Sequence, residues 1–392
     1  MSPEGQQEAL ADNNLAATVL SALGSSANAP QREVVVLKFG GSSLLGTERM
    51  LHAARMVRET ALQNRDAATQ PPSVVVVVSA MKGITDRLLA IARRLEAGCR
   101  TDARRDAEHV LQIHLDVLRD LQLSAVDEQR VSRELRLLGH DLLHDASPEK
   151  QPPSAIRAAL YDRLASYGER FSARLFAAAL EKIAVPAVPV SASDFVLTCD
   201  TFREARPQLE ETRSRGRAVL LPLFADRIVP VVTGFIGATR DGRLTTLGRN
   251  SSDFSGALVA HIVDASELVI WTDVDGVYTA NPHDSADAQL LHELSYDQAH
   301  ALAAAGAKVL HSSVLPLAAQ TGMVVWVRNT FNPQFRGTRI GPAVAALPRT
   351  CHSERSESAL AGERSRGISA STPASPESFS SGCYNPIVRG EA

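Results

Sequence analysis

Lys38 lies in the stretch LKFGGSSLLG (37–46), directly after the apolar residues Val34, Val35 and Val36. A lysine followed one residue later by glycines and serines can mean either of two things. It can be a solvated strand end before a tight turn. It can also be an anion site, in which Gly40 and Gly41 let backbone N–H groups approach a phosphate and the lysine adds positive charge. The order differs from the P-loop, where the lysine comes after the glycines. The ten residues alone leave both readings open.

Four further stretches carry residues suited to chemistry. In SYGERFSARLFA (166–177), Glu169 precedes an apolar helical pattern and by itself reads as a capping or solvated carboxylate. In TTLGRNSSDFSGALVA (245–260), a turn holding Arg249 runs through Ser251, Ser252 and Asp253 into an alanine-rich helix. Ser and Asp favour helix N-caps, and helix starts also favour phosphate. Arg249 offers a planar fork for a carboxylate. In IWTDVDGVYTANP (270–282), Thr272 and Asp273 end an apolar run, and Tyr278 follows closely. A plain turn explains Asp275-Gly276 but not the aromatic residue beyond. In GAKVLHS (306–312), Lys308 and Val309 follow an expected helix, and a solvated lysine is the simpler reading there.

Positioning these side chains requires a frame. The run from Val34 to Phe39 and the run from Val74 to Val78 read as strands buried on both faces. Ala187–Val190, Ile228–Thr233, Leu268–Thr272 and Met323–Arg328 read as further strands. Helical patterns cover Arg49–Leu62, one long charged stretch over 84–146, then Ala155–Ile183, Phe254–Val263 and Ser295–Ala305. Strands alternating with helices from 33 to about 340 predict an α/β fold, a sandwich around a mainly parallel central sheet. Ligands of such sheets sit at the carboxyl ends of the strands. Lys38, Gly40, Gly41, Ser79, Gly234, Thr272 and Asp273 fall there.

Composition narrows the function classes. The chain has 392 residues and a net charge of −3, which gives no electrostatic case for nucleic acid or anionic membrane. Its four cysteines are scattered, without metal-ligand spacing, and read as reduced thiols of a cytoplasmic protein. The first ten residues lack the basic and apolar regions of a signal peptide.

The motifs KFGGSS (38–43), VSAMKGITDRLL (78–89), YGER (167–170), TTLGRNSSD (245–253), WTDVDGVYT (271–279) and GAKVLH (306–311) occur in one order over residues 33 to about 342. Together they resemble the aspartate kinase (aspartokinase) branch of the amino-acid kinase family, most of all the kinase portion of bifunctional aspartokinase–homoserine dehydrogenases. The resemblance implies a three-layer amino-acid-kinase sandwich. It implies an ATP-dependent transferase that converts L-aspartate to 4-phospho-L-aspartate, the first step toward lysine, threonine and methionine. By the same resemblance Lys38 and Asp253 are catalytic, and Ser42, Thr85, Glu169 and Arg249 bind the substrate. Lys38, Gly40, Gly41, Thr272, Asp273, Tyr278, Lys308 and Val309 bind the nucleotide. Mg²⁺ is expected to bridge the ATP phosphates, with no protein residue assigned as its ligand. A homodimer is left open. So are two other readings: a related kinase acting on another small acid, and a weakly active remnant that binds nucleotide or a partner.

Two stretches depart from the family pattern. Asn281 and His283 stand where an arginine commonly contacts nucleotide, and Ser312 replaces a proline. The resemblance ends near FRGTRIG (335–341), without the ACT regulatory domains or dehydrogenase that such kinases carry. Residues 1–32 read as a loose extension around a catalytic domain over 33–346. Residues 347–392 hold ten serines between Ser353 and Ser381, and are expected to stay disordered.

Overall fold

The computed structural model describes residues 33–62, 72–147, 154–249, 251–280, 287–304, 310–311 and 313–342. The expected N-terminal extension and C-terminal tail lie outside them.

In chain order the strands are β1 (Val34–Phe39), β2 (Ser73–Val78), β3 (Ala187–Val190), β4 (Val229–Thr233), β5 (Ile236–Ala238), β6 (Leu244–Thr246), β7 (Glu267–Thr272), β8 (Val277–Tyr278), β9 (Leu290–Leu291), β10 (Glu293–Ser295), β11 (Val324–Asn329) and β12 (Thr338–Gly341). Eight of them form one sheet in the order β10-β12-β11-β7-β1-β2-β4-β3, and β5-β6 and β8-β9 are separate two-stranded pairs. From β11 through β3 the neighbours run parallel; β12 pairs antiparallel with β11, and β10 runs parallel to β12, so these two run opposite to the rest. The helices are α1 (Gly46–Leu62), α2 (Ile84–Glu96), α3 (Arg100–Asp120), α4 (Ala125–Asp145), α5 (Ser154–Lys182), α6 (Leu209–Ala225), α7 (Ser252–Ile262), α8 (Tyr296–Ala304) and α9 (Val314–Thr321).

The unbroken valine runs have a direct cause. Side chains alternate across a strand, so a sheet covered on both faces needs apolar residues at every position. Val35, Leu37, Phe39, Val74, Val76 and Val78 enter one core with residues of α1 through α5. Val34, Val36, Val75 and Val77 enter the other with residues of α6 through α9. This is the expected three-layer sandwich. Among the described residues no helix is long and apolar enough to cross a membrane.

Two readings of the sequence are corrected. The stretch 84–146 is three helices. Gly98, at φ +78°, and Gln122, at φ +50°, each break the ladder. Ser124 then caps α4 by accepting from the Asp127 N–H. The helices expected from the sequence also omit α6, which carries Gly216 and Pro222 in its interior. Gly216 is a packing requirement, since a Cβ there would come within 2.7 Å of Ile262.

Candidate active site

Lys38 is the fifth residue of β1 and is 7% exposed. A buried lysine needs a partner. Its Nζ lies 2.7 Å from Asp253 Oδ1. Asp253 is in the first turn of α7, where the helix dipole favours an anion. The lysine stem fits because the facing helix residue is glycine. A Cβ on Gly256 would sit 3.3 Å from Lys38 Cβ. Lys38 is therefore not a solvated strand end.

The two glycines after it differ in role. The Gly40 N–H donates to the Trp271 carbonyl at 3.0 Å, so its amide is engaged within the sheet. This corrects the expectation that the Gly40 amide faces a phosphate. Its missing side chain keeps the space before the ammonium open, since a Cβ there would stand 3.7 Å from Lys38 Nζ. At Gly41 a Cβ would come within 2.6 Å of the Ala80 carbonyl. The loops after β1 and β2 close on each other here, and the Lys82 N–H donates to the Gly41 carbonyl at 3.0 Å. Gly41→Ala is expected to destabilise the fold by about 1–3 kcal/mol, the usual cost of overpacking, readable as a lower denaturation midpoint.

Glu169 lies inside the long helix α5 and is 3% exposed, so the capping reading fails. One carboxylate oxygen accepts the Ala80 N–H at 3.1 Å. The other is buried without a partner. Burial pushes its carboxyl up to about 8, against the pull of the Ala80 N–H and the Lys38 charge. Gly168 allows the close approach, since a Cβ there would meet Ala80 Cβ at 2.5 Å.

Lys38, Gly40, Gly41, Thr85, Glu169, Arg249 and Asp253 line one cleft of about 770 Å³. Arg249 reaches Asp86 Oδ1 at 3.2 Å, with both side chains more than 70% exposed. Ser42 is not among the residues lining this cleft; its carbonyl accepts from Arg49. Thr272, Asp273 and Tyr278 also stand apart from it. Thr272 ends β7, which flanks β1 on the side opposite β2, and its hydroxyl donates to Asp273 at 3.3 Å. Tyr278 belongs to the β8–β9 pair. Lys308, Val309, Asn281, His283 and Ser312 lie outside the described residues.

The cleft also contains residues that the sequence did not single out: Lys82, Tyr161, Arg203, Glu204, Phe235 and Thr246. Phe235 follows Gly234 at the end of β4 and holds φ at +68°, with its N–H fixed to Ser255 Oγ at 2.8 Å. A strained backbone at the rim of a cleft is a mark of functional sites.

A carboxylate lacking a cation, an ion pair at a strand end and glycine-opened space before an ammonium together suit a small amine-bearing acid and a phosphate. The model of the Amino acid kinase family matches residues 33–329. The chain belongs to the amino acid kinase family. Lysine-sensitive aspartokinase 3 of Escherichia coli is 33% identical over 309 residues, which are 79% of this chain and 64% of that protein. The chloroplastic aspartokinase 3 of Arabidopsis thaliana is 33% identical over 312 residues, 78% of this chain and 52% of that protein. Among solved structures, E. coli aspartokinase III in complex with aspartate and ADP superposes with a TM-score of 0.67 at 32% identity, covering 80% of this chain and 66% of that one. The chain thus spans between half and two-thirds of the length of these aspartokinases.

Proposed function

We propose that this chain transfers the γ-phosphoryl group of ATP to the side-chain carboxylate of L-aspartate, giving 4-phospho-L-aspartate and ADP. The observation that carries this reading is Glu169. Its orphan buried oxygen awaits a cation, in the same cleft as the Lys38–Asp253 pair. The α-ammonium of an amino acid supplies that cation. The aspartokinase names of the relatives, and the aspartate and ADP in one superposed structure, support the substrate choice.

Phosphoryl transfer asks for positioning and charge neutralisation more than for covalent chemistry. Lys38 offsets the charge that spreads over the transferring oxygens, and Asp253 fixes where its ammonium points. The acceptor carboxylate is ionised at neutral pH, so no strong base is needed. Arg249 pairs with the α-carboxylate, and Thr85 and Ser42 hydrogen-bond the amino acid. Thr272, Asp273 and Tyr278 hold the adenosine end of the nucleotide, with Lys308 and Val309 near its phosphates. Mg²⁺ would enter on those phosphates. An ion carried by phosphate and water needs few protein ligands. Asp253, paired with Lys38, would help order the region around that ion. Bound there, the ion would neutralise phosphate charge.

A coupled ADP-release assay tests the reading: turnover with L-aspartate and none with N-acetylglutamate is expected, and the reverse preference would overturn it. Arg249 is an exposed cation in the free protein, not a buried one, so its loss is mild. Arg249→Ala should raise the aspartate KM about 10- to 100-fold, the worth of a hydrogen bond to a charged group, with little change in the ATP KM. Equal changes in both would assign Arg249 to the nucleotide.

A further inference from the structure

Arg203 is the most constrained residue of the cleft that the proposed reaction leaves unused. It holds φ at +75°, a left-handed backbone that an arginine adopts only when its surroundings enforce it. The enforcement is visible. Asp162, fully buried in α5, accepts the Arg203 N–H at 2.8 Å through Oδ2. The same oxygen accepts the Thr246 N–H at 2.8 Å, and Oδ1 accepts the Thr246 hydroxyl at 3.0 Å. Ala205 N–H then donates to the Thr246 carbonyl at 2.9 Å. One buried carboxylate therefore ties two turns to α5: the turn bearing Arg203, and the end of β6 that leads three residues later to Arg249. Asp162 also lies seven residues before Glu169, two helical turns away on the same face of α5.

The two arginine turns are in contact. A Cβ on Gly248 would lie 3.8 Å from the Arg203 carbonyl oxygen and 4.0 Å from Glu204 Cγ. The Arg203 guanidinium is stacked over the Tyr161 ring at 3.9 Å, and both side chains line the cleft. Stacking on a ring face leaves the in-plane N–H donors of a guanidinium free to point elsewhere. Arg203 and Arg249 are both exposed, and Arg249 shares its charge with Asp86, a weak grip by itself. A carboxylate has two oxygens and about four acceptor sites, room for two forks.

We propose that Arg203 is a specificity-determining residue that grips the substrate's α-carboxylate alongside Arg249, pre-positioned by Asp162 and Tyr161. The inference rests on the aspartate-kinase reading above. It makes the cleft selective for amino acids with a free α-carboxylate, because two forks are left unpaired when that group is an amide.

Arg203→Gly is the decisive variant, since glycine relaxes the left-handed backbone. A purely structural arginine and a substrate-gripping one then predict opposite results. We expect the melting temperature to hold or rise, while kcat/KM for aspartate falls about 10- to 100-fold, nearly all of it through KM. The penalty for L-isoasparagine, the α-amide of aspartate, should shrink by a similar factor, and Arg203→Lys should fall between, keeping the charge but losing the fork. A lower melting temperature with unchanged aspartate KM and unchanged α-amide discrimination would overturn the inference. Calorimetric titration of L-aspartate into the nucleotide-free protein separates the two layers. If the wild type binds aspartate and Arg203→Gly binds it equally well, the assignment of Arg203 fails alone. If the wild type binds no aspartate, the reading of the site fails and takes the inference with it.

Discussion

Lys38→Met is expected to lower kcat by about 100- to 1,000-fold while nucleotide still binds. The stem of Lys38 packs beside Gly256, so methionine keeps the buried volume and removes only the ammonium. That ammonium faces charge that develops on the transferring phosphoryl group. An interaction strengthened in the transition state is lost from kcat and not from binding. Removing one such stabilising group costs about 10²–10³ in kcat. Asp253 loses its partner in this variant. It remains in the first turn of α7, where the dipole supports an anion, and its side chain is 22% exposed. The fold should hold, which a thermal melt checks directly. A kcat near that of the wild type in a folded Lys38→Met protein would remove Lys38 from the chemistry.

The frame of this site was legible in the sequence because a doubly covered parallel sheet leaves an unmistakable trace. Val34–Phe39 and Val74–Val78 have no polar face to disguise, and the one charged residue in β1, Lys38, stands out for the same reason. Most of the chemistry-bearing stretches lay at strand ends for a reason of topology, and four of the six motifs supply residues to one cleft. What stayed hidden depends on contacts far apart in sequence. Glu169 looks like a surface helix residue until Ala80, 89 positions away, is seen to donate to it. Gly216 and Pro222 look like breakers until Ile262 explains the glycine. Arg203 carries no local signal at all. Its strained backbone follows from Asp162, 41 residues earlier, and its nearness to Arg249 follows from the fold of β6. Ser42 sits inside a telling motif beside Ser43, which is buried with its hydroxyl bound to Thr330 at 2.6 Å.

Glu169 is expected to make both aspartate binding and stability depend on pH, in opposite directions. Its carboxyl titrates near 8 in the folded, ligand-free protein and from an ordinary value of 4.5 when unfolded. Folding therefore raises its proton affinity. The stability it contributes is full below about pH 4.5 and is lost as pH rises through about 8. The groups facing it are the Ala80 N–H and the Lys38 charge, which both favour the anion but do not outweigh burial. The melting temperature of the ligand-free protein should thus fall between pH 6 and pH 8.5, and Glu169→Gln should flatten that slope. Aspartate reverses the balance. Its α-ammonium next to the orphan oxygen stabilises the ionised carboxylate, so below pH 8 binding must expel a proton. Affinity for aspartate should rise toward pH 8.5, and calorimetry in buffers of different ionisation enthalpy should report about one proton released per aspartate at pH 6.5. Glu169→Gln keeps the shape and an acceptor oxygen but cannot become an anion. It should weaken aspartate by 100-fold or more, on the scale of an unpaired charge in a buried pair, and release no proton. Proton release that persists in Glu169→Gln, or aspartate affinity that is flat from pH 6 to 8.5 in the wild type, would place the ammonium elsewhere in the cleft.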